Sequence, residues 1–328
     1  MKLTGFAKYA WSVLGINITV ILWGAYVRAT GSGAGCGSHW PLCHGEAIPR
    51  SPGIETIIEY AHRLSSGLAL LAVVLMFIWA RRTFAAGDAV RTGATLSLIF
   101  IISEALVGAG LVLFEWVAFD DSIERVISMA VHLVNTFLLL AALTLTGWWA
   151  SGGRWLRIAG SGAIGWFLGV AFIGVLLLGV SGAITALGDT LFPSESLASG
   201  IQQDFSPTAH FLIRLRVWHP LLAILIGTYV IILAIGISLH SSDRTQRRLA
   251  VGLCLVVAGQ LFAGLINLVL LAPVWMQILH LLLADLLWIL LVGFAASTLS
   301  KETGSTTVEI PNRADPLLSS SDPAGILS

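Results

Sequence analysis

The chain is 328 residues long, 56% hydrophobic and only 11% charged. A soluble domain carries about 25% charged residues, so this composition excludes a water-soluble fold and requires an integral membrane protein. Its 18 basic and 18 acidic side chains cancel, which leaves no basic footprint for nucleic acid.

A membrane-crossing helix needs about 20 mostly apolar residues. In chain order such runs fall at 10–30, 57–80, 92–114, 126–149, 161–187, 209–238, 249–271 and 275–299. Transmembrane strands would alternate in roughly ten-residue segments, so the pattern predicts an all-α polytopic membrane protein with eight transmembrane helices. The first run is full-length and lacks a small-residue cleavage site, and it reads as a retained helix rather than a signal peptide. Lys and Arg concentrate in cytoplasmic loops. Twelve of the eighteen, among them Lys2, Lys8, Arg81, Arg82, Arg154, Arg157, Arg244 and Lys301, fall on one side. That places both termini in the cytoplasm of a cell-membrane protein, with the loop between the first two helices outside. Residues 301–328 are rich in Ser, Thr, Pro and Asp, and are expected to form a disordered cytoplasmic tail.

The two halves repeat. Glu104-Ala-Leu-Val-Gly108 in the third helix matches Gln260-Leu-Phe-Ala-Gly264 in the seventh. Val131-His132-Leu133 in the fourth matches Leu279-His280-Leu281 in the eighth. Glu59 stands three residues before His62 in the second helix, as Arg216 stands before His219 in the sixth, and Gly24-Ala25 in the first helix matches Gly182-Ala183 in the fifth. An even number of helices per unit makes the units parallel, related by an axis along the membrane normal. The expected architecture is two pseudo-symmetric parallel four-helix bundles, 1–150 and 151–300, with the cysteine-bearing loop 31–56 in the first.

The second, fourth, sixth and eighth helices run in the same direction, and each carries a histidine: His62, His132, His219 and His280. His132 lies eight residues past Glu124, about 12 Å along a helix at roughly 1.5 Å per residue. His280 lies seven past Pro273 and His62 seven past Glu55, so each bundle presents two imidazoles to its core near one depth. Polar groups buried in lipid are costly and mark function. Bundles build cofactor sites from facing side chains, and two facing imidazoles are what a haem with two axial histidines requires. The competing reading is interhelical hydrogen bonding.

Glu59 shares a helix face with His62 and reads either as a proton-relaying or ligand-holding carboxylate or as an interfacial acid. Arg63, Arg214 and Arg216, near the outer boundary, suit haem propionates or simply snorkel. Glu104 and Asp285 are intramembrane acids expected to be hydrogen-bonded. Asn135 is expected to join helices, His210 to lie on the face opposite His219, and Cys254 to fill space. The outer loop reads Gly35-Cys36-Gly37-Ser38-His39-Trp40-Pro41-Leu42-Cys43-His44-Gly45. Its cysteines are too far apart for Cys-x-x-Cys-His haem attachment. They suit either a structural disulfide, which persists outside the cytoplasm, or a redox-active pair.

That loop, the segment Glu59-Tyr60-Ala61-His62-Arg63 and the histidines of the fourth, sixth and eighth helices resemble the haem A synthase family over about residues 10–300. The resemblance implies oxidation of the C8 methyl of haem O to a formyl group, giving haem A for cytochrome oxidase assembly. It implies a haem b cofactor in the second bundle, held by His219 and His280, with Arg216 as a charge partner. The haem substrate would sit in the first bundle between His62 and His132, with Glu59 important for catalysis, so that all four histidines are axial ligands of haem iron. Cys36 and Cys43 would form a disulfide or a point of electron entry. Partners implied are a haem O synthase supplying substrate, an unnamed electron donor, membrane lipid and, in some forms, further copies of the chain. The segment Arg214-Leu215-Arg216-Val217-Trp218-His219-Pro220 departs from the His-Arg order of the second helix, and depth and repeat favour His219 over His210 as the ligand. The rival function is a di-haem b-type subunit that oxidises quinol and passes electrons on. It shares the histidines and offers no role for a cysteine loop beside Glu59.

Overall fold

The computed structural model describes residues 3–300; the expected tail at 301–328 lies outside the described residues. Eight spans are long and apolar enough to cross a membrane. They are α1 (Gly5–Ala29), α2 (Ile54–Thr83), α3 (Ala89–Leu113), α4 (Ile123–Ala150), α5 (Gly162–Leu191), the joined pair α7 (Phe211–Arg216) and α8 (Trp218–Leu239), α9 (Arg244–Val269) and α10 (Val274–Leu299). A short helix, α6 (Leu197–Asp204), lies in the connection from α5 to α7. Among the described residues there is no β-strand, only an isolated bridge between Cys43 and Glu46. The chain is a multi-pass helical membrane protein.

Helix starts follow from side chains that accept the first free backbone N–H groups. Thr4 accepts from Ala7 at 3.1 Å, Asp88 from Val90 at 2.8 Å, Ser122 from Arg125 at 3.3 Å and Asp243 from Thr245 at 2.8 Å. The sixth expected span, 209–238, differs because it is interrupted at Val217. Pro220 has no N–H for the Arg216 carbonyl, and its ring crowds that carbonyl, so α7 stops at Arg216 and α8 starts afresh. His219 therefore lies in the first turn of α8, and His210 is the N-cap of α7.

In the first half α1 packs on α2, α2 on α3, α3 on α4 and α4 back on α1; in the second, α5 packs on α8, α8 on α9, α9 on α10 and α10 on α5. The two most buried spans are α4 and α10, which meet between the halves. There Phe137 stacks on Trp288 with ring centres 4.9 Å apart, and Phe172 meets Trp288 edge-on at 5.3 Å. Trp288 Nε1 donates to the Phe137 carbonyl at 2.6 Å, so the indole has a partner where no water reaches. One apolar core runs through this seam and includes Leu140, Leu143, Leu287, Leu291 and Phe294. On α8 and α9 the outward side chains Ile224, Leu225, Ile232, Leu255 and Phe262 are exposed, the arrangement required of faces covered by lipid.

Candidate functional site

In the second half, His219 on α8 and His280 on α10 face each other, with ring centres 6.3 Å apart and planes at 81°. His219 Nδ1 lies 3.0 Å from Ser181 Oγ on α5, and His280 Nε2 lies 3.2 Å from Gln260 Nε2 on α9. Both imidazoles lie against glycine. A Cβ on Gly182 would stand 2.9 Å from His219 Cε1, and one on Gly264 would stand 3.1 Å from His280 Cε1. Two imidazoles on opposite sides of one metal, each bound at about 2.0–2.1 Å, have ring centres roughly 6 Å apart. The spacing fits an iron held between His219 and His280, and the buried His280 Nδ1 and Gln260 Oε1 have no hydrogen-bond partner.

The first half repeats the motif. His62 on α2 and His132 on α4 lie within electrostatic range of each other. A Cβ on Gly24 would stand 2.9 Å from His62 Cε1, while one on Gly108 would reach His132 Nε2 only at 3.9 Å. His62 Nδ1 is buried without a partner. His132 Nδ1 stands 3.0 Å from Glu104 Oε1, off the line of an ideal hydrogen bond. Glu104 in turn accepts from Asn135 Nδ2 at 2.5 Å and from the Thr136 hydroxyl. Asn135 also donates to the Phe100 carbonyl at 2.9 Å and accepts from Ser103 at 2.6 Å, which is the helix-joining role expected of it.

The cysteine loop is fastened onto α2. Cys36 and Cys43 are joined as a disulfide, and both are buried. Glu59, 3% exposed, accepts from the Cys36 backbone N–H at 2.7 Å and from Arg63 Nε at 3.0 Å. The same guanidinium donates to the Leu42 carbonyl at 2.7 Å and to the His39 carbonyl. Thr56 Oγ1 donates to the Gly35 carbonyl at 2.6 Å. This close approach requires glycine at 35, since a Cβ there would lie 2.5 Å from the Glu55 carbonyl. Arg63 is thus a clamp between loop and helix, and the signal for it in the sequence is its position four residues after Glu59, one helical turn away.

The matching positions of the second half carry other groups. Arg216 is largely enclosed, its side chain 10% exposed, and is paired with Asp189 at 3.2 Å and with Asp204; it does not snorkel. Arg214 is exposed. His210 caps α7, lies between the Phe192 and Phe211 rings and approaches Asp121 at 3.5 Å. It is an interface residue turned toward other partners than His219. Asp285 is fully buried, and neither of its carboxyl oxygens has a hydrogen-bond partner, contrary to the expectation that it is hydrogen-bonded. Sequence reasoning missed Arg28. Its guanidinium crosses from α1 to the second half, donating to the Ala186 carbonyl at 2.7 Å, Thr190 Oγ1 at 2.8 Å and Gln277 Oε1 at 2.8 Å. An arginine in an apolar helix and a glutamine in another were the available signals.

Fold and geometry define a multi-pass helical membrane protein that sets paired imidazoles between its helices. The family model described as COX15-CtaA, cytochrome oxidase assembly protein, matches residues 7–292. The chain belongs to this family, that of the haem A synthases. It is 54% identical over 304 residues to a protohaem IX farnesyltransferase of Thermus thermophilus, covering 93% of this chain and 50% of that protein. It is 48% identical over 97 residues to a haem A synthase of Halalkalibacterium halodurans, 30% of this chain and 33% of that protein. A haem A synthase of Alkalihalophilus pseudofirmus is 40% identical over 128 residues, 39% of this chain and 40% of that protein. The chain thus spans about half the length of the Thermus relative.

Proposed function

We propose that the chain is a haem A synthase, oxidising the C8 methyl of haem O to a formyl group and so supplying haem A for cytochrome oxidase assembly. The single observation that carries this is the facing of His219 and His280 at 6.3 Å across a glycine-lined space. Residues 151–300 are then the cofactor half, in which His219 and His280 hold haem b. Residues 1–150 are the substrate half, taking haem O between His62 and His132. Bound haem would supply the redox chemistry, with an external oxidant taking up the four electrons lost between methyl and formyl, since such an oxidation is beyond amino-acid side chains. The chain's own residues do the rest. His62 and His132 orient the porphyrin, the apolar helix faces admit its farnesyl tail and keep out water, and the loop closes over α2. Glu59, one turn from His62 and hydrogen-bonded to the loop, carries protons between the loop and the substrate.

The positive-inside pattern supports cytoplasmic termini, which leaves the Cys36–Cys43 loop on the oxidising side. The name of the Thermus relatives describes farnesyl transfer to protohaem IX, the class of reaction that would supply haem O, and supports a haem O synthase as partner. That name belongs to proteins twice the matched length. The decisive experiment is pigment extraction and chromatography after co-expression with a haem O supply. Haem A is the expected product; haem O and haem B alone would overturn the assignment. The presence of paired histidines in both halves also favours a di-haem b-type electron-transfer subunit, which would retain two equivalent b haems and leave added haem O unconverted.

A further inference from the structure

At matching positions of the sequence repeat, four residues before a glycine that faces histidine, the halves carry different groups. Glu104 reaches His132 and Gln260 reaches His280. We propose that Glu104 is a positioning residue that strengthens His132 as an iron ligand and lowers the reduction potential of the haem in the first half below that of the haem in the second. The inference rests on the four histidines being axial ligands.

The Glu104 carboxylate is fixed from two sides by Asn135 and Thr136 of α4, the helix that also carries His132. It addresses Nδ1, so Nε2, on the open side beside Gly108, is the nitrogen left for iron. A carboxylate on the far nitrogen of a metal-bound histidine fixes its tautomer and raises its basicity, which favours the oxidised metal. In the second half the Ser181 hydroxyl at His219 Nδ1 is neutral, and the Gln260 amide meets His280 at Nε2, leaving His280 Nδ1 with no carboxylate or other hydrogen-bond partner. The carboxylate on the far nitrogen of His132, without a counterpart on His280, therefore separates the two sites in potential and orders them for electron flow.

The test is a spectroelectrochemical titration of the full chain loaded with haem B, followed at the Soret band. The wild type is expected to titrate in two steps, with the lower step absent from His132→Ala. Glu104→Gln, which keeps size and hydrogen-bonding capacity, should raise the lower step by at least tenfold in the equilibrium constant, about 59 mV for a one-electron couple, and leave the upper step in place. An unmoved lower step in Glu104→Gln, with haem content intact and the His132-dependent step identified, overturns the inference alone. If no haem depends on His132, the axial-ligand reading has failed and takes this inference with it.

Discussion

The two halves place histidines against glycines in the same order, yet they surround them with opposite chemistry. Three residues before His62 stands an acid, Glu59, held by Arg63 and by the backbone of a disulfide loop. Three before His219 stands a base, Arg216, locked between Asp189 and Asp204. The first arrangement reaches a loop that lies over the helix ends; the second is an ion-pair cluster closed on itself. A scaffold can therefore be reused for imidazole geometry while the neighbouring charges are changed.

The sharpest way to break that comparison is to remove ligands and charges separately. His219→Ala or His280→Ala should abolish the b haem proposed for the second half, as read in a pyridine haemochrome assay. Glu59→Ala should keep haem content near the wild-type level and yield no haem A on chromatography. If the histidine and glutamate variants lose haem alike, the halves are not specialised.

The glycines offer a graded test of intermediate size. Gly24→Ala and Gly182→Ala put a methyl 2.9 Å from an imidazole carbon and should lower haem occupancy several-fold with shifted low-spin EPR signals. Gly264→Ala, at 3.1 Å, should do less, and Gly108→Ala, at 3.9 Å, almost nothing. Equal occupancy in all four would sever the glycines from histidine placement.

The smallest effect is expected at the contact between halves. Arg28→Ala removes three part-buried hydrogen bonds, although the Ala186 carbonyl keeps a second donor in Thr190, at a total cost of about 1–3 kcal/mol. The apparent melting temperature in detergent should fall by several degrees with both haem sites still able to fill. An unchanged melt would show that Arg28 is not needed to join the halves.

Much of the fold was legible because lipid imposes a simple rule: backbone polar groups must be satisfied within each span. Apolar length alone therefore located all eight crossings to within a few residues. The break at Val217, where Pro220 leaves the Arg216 carbonyl without a donor, is not marked by apolar length, which runs unbroken over 209–238. The histidines stood out because polar residues in such spans are few and the repeat doubled the signal. The partners of those histidines were only partly legible. Glu104 and Gln260 lie at matching positions, but nothing in their spacing specifies which imidazole nitrogen each one meets.

Sequence by itself determined the number of spans, their direction relative to one another and the four positions where imidazoles enter the core, since these follow from local apolar length and helical period. Tertiary structure alone decided that Arg28 meets Ala186 and Gln277, 158 and 249 residues away, that Arg63 clamps the loop, and that Asp285 is left without a partner. Those outcomes depend on which helices become neighbours and at what rotation. Apolar packing in lipid leaves that choice to small residues and to scattered polar contacts, which are written into no single stretch of chain.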